Sequence, residues 1–234
     1  MRSCLIQILI ALAVVFLLLW FALPLAVGAL ATGALNATGF TGTDTRVEVS
    51  ANPPPMLLTG RGTVHITSTH VSLSDLHAAG VDVTLGDVDL MSRKIGTVGG
   101  TLTGVQVAAP NGDAVSIDKV TLAGPADDTI ATCSMSIAQA EALAEAQLAA
   151  QGVKATVDLA APNAVTLKVS GTSYKGRLVA SSDGALLLVP ESKAMPQVLL
   201  ISPGSGNPFH VYSVAIGQTD ITLTGTIDID ELLN

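Results

Sequence analysis

From Arg46 to Ile229 apolar residues return at every second position, in segment after segment, and that period leaves few structures open. Residues two apart point to one side of a β-strand, so each alternating stretch predicts a strand with one apolar and one polar face. The stretches 46–51, 63–67, 81–90, 97–107, 115–122, 153–159, 165–169, 175–181, 185–189, 199–202, 209–216 and 221–229 all read this way. Composition agrees. The chain is 49% hydrophobic and 13% charged but only 3% aromatic, and its Val, Ile, Leu, Ala and Thr suit strands apolar on at least one face.

Within 81–90 the alternation slips by one residue, since Val81, Val83 and Leu85 are out of phase with Val88 and Leu90. A bulge at Gly86-Asp87 returns all five to one face. Turn signals separate the strands: Pro110-Asn111-Gly112-Asp113, Asn163 after Pro162, Ser182-Asp183-Gly184 and Gly217-Gln218-Thr219-Asp220. Asn52-Pro53-Pro54-Pro55 forces an extended break, followed by the aliphatic Met56-Leu57-Leu58.

One segment after the N-terminus has the other period. In 136–151, Ile137, Ala140, Ala144 and Leu148 fall on one helical face, with Gln139, Glu141, Glu145 and Gln147 mostly elsewhere. Ser136 and Gln139 have the spacing of a capping box, and Gly152 stands where a left-handed residue ends a helix. The expected fold is α+β, mostly β: a long curved antiparallel sheet wrapped on one main helix.

Residues 5–31 are almost uninterrupted apolar sequence after the single base Arg2, long enough to cross a bilayer, which takes about 20 residues. They end in Ala29-Leu30-Ala31, a pattern a signal peptidase cuts. Residues 1–31 are therefore expected to be a signal peptide or an N-terminal membrane anchor. Either outcome puts the remainder outside the cytoplasm, at the outer face of the cytoplasmic membrane or in the periplasm or cell envelope. Residues 32–44, small and polar, are expected to be a short tether, and 45–234 one β-rich domain.

After residue 31 the chain has ten bases against nineteen acids and no dense basic run, which excludes ordinary nucleic-acid binding. Cys4 and Cys133 give no disulfide framework within the domain. His65, His70 and His77 lack the cysteine or carboxylate spacing of a zinc site. Gly204-Ser205-Gly206 is not a nucleophile elbow, and Gly60-Arg61-Gly62 and Gly99-Gly100 lack the strand-to-helix setting of a phosphate loop. The pairs Asp87/Asp89, Asp127/Asp128 and Asp228/Asp230 read most simply as solvated positions. No catalytic residue, metal or cofactor is expected.

Four stretches resemble the LmeA-type phospholipid-binding envelope proteins of actinobacteria. Pro53-Pro54-Pro55-Met56-Leu57-Leu58-Thr59-Gly60-Arg61 is similar to that family's proline-interrupted stretch ending in Leu-Leu-x-Gly-Arg. Val71–Leu76 leading into Val81-Asp82-Val83-Thr84-Leu85-Gly86-Asp87-Val88 resembles its central strand, 136–143 its short helix, and 208–214 with 225–229 its closing hairpin. Together they span about residues 40 to 234. The triple proline replaces a more aromatic Phe-Pro-Phe stretch, and the tether is short.

The resemblance implies a non-enzymatic phospholipid-binding or lipid-transfer protein with a sheet-wrapped cavity and a role in maintaining envelope glycolipids. Its expected partners are phospholipid and membrane. The residues expected to line an acyl groove are Met56, Leu57, Leu58, Leu143, Leu148, Phe209 and Val211, with Arg61, or Arg93 and Lys94, meeting a lipid phosphate. Two other readings stay open: an ordinary filled core, and a structural or adaptor domain binding a protein through a sheet edge.

Overall fold

A computed structural model describes residues 41–49, 61–73, 76–89, 94–108, 114–192, 196–201 and 209–227. Six strands come first: β1 (Thr41–Val49), β2 (Arg61–Leu73), β3 (Leu76–Asp89), β4 (Thr97–Ala108), β5 (Ala114–Pro125) and β6 (Thr129–Ser136). The helix α1 (Ile137–Ala150) follows directly. Then come β7 (Ala155–Ala160), β8 (Ala164–Val169), β9 (Thr172–Ala180), β10 (Leu186–Pro190), β11 (Val198–Ile201), β12 (Phe209–Ile216) and β13 (Asp220–Ile227).

The fold is mostly β with one helix among the described residues, and its main sheet is a curled antiparallel half-barrel. The strands do not make the single long sheet that alternation suggested. Eight form one sheet in the order β1-β2-β3-β4-β5-β6-β13-β12, and five form another in the order β11-β10-β9-β8-β7. The division falls at β12, whose outer edge meets turns of the smaller sheet instead of a strand. Val211 N–H donates to Gly184 O at 2.9 Å and Ile216 N–H to Pro162 O at 2.8 Å.

The helix is capped as its sequence predicts. Gln139 N–H donates to Ser136 Oγ while Gln139 Oε1 accepts from Ser136 N–H, satisfying two donors that a helix start leaves open. At the other end Gly152, at φ +82°, donates to Ala149 O and Val153 to Leu148 O, the paired bonds of a Schellman motif. Ala140, Ala144 and Leu148 are buried on the expected face.

The polar side of α1 also has partners. Glu145 Oε1 accepts from Val157 N–H and Glu141 Oε1 from Leu159 N–H, both at 2.9 Å, so two glutamates one turn apart serve the outer edge of β7. Gln151 Nε2 donates to Leu199 O on β11, the opposite edge strand of that sheet, at 2.8 Å. One helix thus covers both edges of the five-stranded sheet.

In the larger sheet, the predicted bulge lies where the phase slips: Gly62 pairs with Val88 and Val64 with Leu85, leaving Gly86 and Asp87 opposite Thr63. Asp87 takes φ +50° there. A second irregularity crosses three strands in one row. His70 (φ +50°) faces Ala79, which faces Gly104 (φ +57°). A Cβ on Gly104 would come 2.8 Å from that of Ala79, so only glycine fits. The row shifts the side-chain phase, allowing Val71, Ala78 and Val105 to pack with Val81 and Leu102 despite opposite parity.

β1 begins at Thr41, so 41–44 of the predicted tether are strand. Thr43 pairs with Thr69, and Thr45 Oγ1 lies 2.8 Å from Ser68 Oγ; those cross-strand partners turn a small polar stretch into an edge strand.

Candidate functional site

Of the described residues expected to line a groove, three come together in the core and one, Leu143, stands apart. Met56, Leu57, Leu58 and Arg93 lie outside the described residues. Leu148 and Val211 have no exposed surface, and half-buried Phe209 packs with them in one cluster shared by α1 and both sheets. Their neighbours include Leu167, Leu188, Met135 and Leu223, so these side chains hold the layers together. Leu143 lies outside that cluster and is half-exposed.

Two of the expected bases come to one place. Arg61 opens β2 directly across from Asp89 of β3, and Lys94 forms a bridge with the same Asp89, with N–H to O distances of 2.8 and 3.2 Å. Both stand at the end of the strands where Leu85 and Val88 lie. Lys94 is exposed.

The larger aliphatic surface was not singled out by sequence. Cross-strand register puts Ile66 beside Val83, Val64 beside Leu85 beside Val98, and Val81 beside Leu102 beside Val120. This face continues without a break into Cys133 and Leu223, where α1 and the smaller sheet cover it. Over β2, β3 and β4 no described helix or second sheet forms a layer. Ile66, Val81, Val83, Leu85 and Leu102 there stay half-buried, while Val71, Ala78, Val98 and Val105 on the same strands are buried. The signal was present in the alternation, but which alternating strands would lack a cover depends on where α1 docks.

The reverse face is polar. One row runs Arg46, Thr67, Asp82, Thr101, Thr121, Thr132, Thr224 across seven strands. His65 Nε2 lies 2.8 Å from Asp82 Oδ1, with side chains 39% and 70% exposed, a pair worth under about 1 kcal/mol in water. Among the described residues no group of three His, Cys, Asp or Glu could hold a metal ion, and no helix is long and apolar enough to cross a membrane.

Cys133 is half-buried between Val120 and Leu223, and burial pushes its thiol up to about 11. The thiolate is the reactive form, so a thiol-directed disulfide reagent at pH 8 is expected to label the native protein far more slowly than the urea-unfolded chain. The linkage has a definite sign. The thiol pKa is higher folded than unfolded, so above about pH 9 the unfolded state loses its proton first and stability declines until about pH 11. Urea midpoints measured across that interval should fall for the native sequence and stay flatter for Cys133→Ala.

Comparison with known protein families, with characterised proteins and with solved structures finds no match to this chain.

Proposed function

We propose that this protein is a non-enzymatic phospholipid-binding or lipid-transfer protein of the cell envelope, belonging with the LmeA-type proteins it resembles. The observation that carries the reading is the aliphatic face of β2, β3 and β4, over which no described helix or second sheet forms a layer. A soluble domain rarely leaves a contiguous apolar surface unless something covers it, and an acyl chain fits a face of Val, Ile and Leu without aromatic shape. Each methylene withdrawn from water contributes about 0.8 kcal/mol. Arg61 and Lys94 stand at one end of these strands, in register with Asp89 in the row next to that of Val88, within the reach of a headgroup phosphate beyond the strand ends. The apolar segment 5–31 would bring the domain to the outer surface of the membrane as anchor or export signal.

The test is native mass spectrometry with lipid extraction of residues 32–234, produced in a bacterial periplasm and purified without detergent. A stoichiometric phospholipid is expected. Val83→Asp and Leu102→Asp, at half-exposed positions, should remove it while circular dichroism stays native. A clean apo mass that persists after incubation with phospholipid vesicles would overturn the lipid reading.

A second reading is favoured by one observation: among the described residues no strand pairs with the outer edge of β1. An adaptor domain would use that edge for a partner strand. Asp44, Arg46 and Glu48 are exposed along it, the charged pattern that discourages pairing between identical edges.

A further inference from the structure

A cleft of about 580 Å³ opens where the Ser181–Gly184 turn of the smaller sheet meets the start of β12, and it has no part in the reading above. Its lining includes Ser182, Asp183, His210, Tyr212 and Thr226. Three features of the backbone build it. Val211 pairs with Gly225 while Ser213 pairs with Thr224, so Tyr212 is the extra residue of a β-bulge, the device by which a strand re-aims one side chain. Its side chain is turned out to 54% exposure, in a chain with only two tyrosines.

The opposing wall is fixed just as closely. Gly184 adopts φ +88°, and a Cβ on it would fall 2.7 Å from His210 Nδ1, so the imidazole rests directly on the turn. Val211 N–H donates to Gly184 O and ties the turn to β12. Ser181 Oγ accepts from Ala185 N–H at 3.0 Å and donates to the Asp183 carboxylate. That hydrogen bond holds the Asp183 carboxyl below its ordinary range, so it is an anion at neutral pH.

We propose that this cleft binds a neutral sugar residue, with Tyr212 as the stacking platform and Asp183 as acceptor for adjacent hydroxyl groups. The chemistry of the lining selects this class. Among the described residues no Lys or Arg lines the cleft, which disfavours phosphates and carboxylates. Its walls are open and half polar, unlike an acyl pocket. A pyranose has what remains: an apolar C–H face for the exposed ring, and hydroxyls that donate to a carboxylate and exchange hydrogen bonds with Ser182, Thr226 and His210. The site lies on the polar side of the His210–Thr226 register pair, so it operates whether or not lipid occupies the apolar face.

The full chain, in lauryldimethylamine oxide micelles that carry no sugar headgroup, would be examined by saturation-transfer NMR with the methyl glycosides of glucose, galactose and mannose. Choline chloride serves as the cationic control. Saturation is expected on the ring C–H protons of at least one glycoside. Removing the stacking face in Tyr212→Ala should raise its Kd at least about tenfold, and Tyr212→Phe should stay within about twofold, because the ring carries the contact. Asp183→Asn, which loses charge-assisted acceptance, should raise it about tenfold. Both side chains are exposed, so the fold should tolerate these changes. No transfer to any of the three glycosides, transfer indifferent to Tyr212→Ala, or Tyr212-dependent binding of choline alone would each overturn the proposal.

Discussion

Replacing Leu148 with alanine is expected to destabilise the protein by about 3 to 5 kcal/mol, enough to lower the melting temperature by roughly 10 °C. Leu148 has no exposed surface and stands where α1 meets the core of both sheets. The deleted atoms lose their transfer free energy, and the cavity cannot easily collapse. Its neighbours Leu167 and Leu188 sit on strands fixed by ladders on both sides, while Leu148 O itself anchors the helix end through Val153. Leu143→Ala is the informative control. That residue lies on the same helix but is half-exposed and outside the core cluster, so its truncation should cost under about 1 kcal/mol. Urea denaturation of the two variants separates a cohesive core position from a surface one. Equal costs would mean that the helix packs differently.

The second large effect is expected at the edge of the smaller sheet. Val157 and Leu159 point their N–H groups away from β8, and their partners are Glu145 and Glu141. Truncating both glutamates to alanine leaves two part-buried donors without protein partners, at about 1 to 3 kcal/mol each before water compensates; about 2 to 4 kcal/mol is expected for the pair. Replacement by glutamine keeps a side-chain oxygen in each place and should cost less than half as much, on the order of 1 kcal/mol. Hydrogen exchange gives the local readout. The amides of Val157 and Leu159 should lose protection in the double alanine variant more than those of Leu167 and Leu178, which are inside the sheet.

These two predictions mark how far the sequence could be read. The helix, both caps, the Gly86-Asp87 bulge and the closing hairpin were all legible, because each depends on residues within a few positions of one another. Leu148 was named correctly as an inward residue, but its surroundings were not, since Leu167 and Leu188 reach it only through the second sheet. Glu141 and Glu145 could be placed off the apolar face of the helix but not given partners, because their role depends on an edge strand docking alongside. Division into two sheets was hidden for the same reason. Alternation tells which residues share a face and is silent about which strands become neighbours. Residues 41–44 were misread because small polar residues resemble a linker until Thr69 and Ser72 supply cross-strand partners. The bulge at Tyr212 had a signal, since Phe209 and Val211 are out of phase with Val214 and Ile216, but that slip does not tell which turn will stand opposite the turned-out ring.

The order of strands has a consequence for how the molecule is made. β6 pairs on one side with β5, which precedes it, and on the other with β13, which follows the whole of α1 and the smaller sheet. As the chain emerges from its N-terminal end, β1 to β6 can zip up as successive neighbours while β6 waits with an open flank. α1 starts at the residue after β6 and can shield part of that flank early, which makes its capping box a matter of timing as well as of equilibrium. Only when the last hairpin is synthesised does the flank close. A nascent chain stalled before β12 would therefore display a sticky, strand-ready border, and chaperones that recognise such borders should hold it longest at that point.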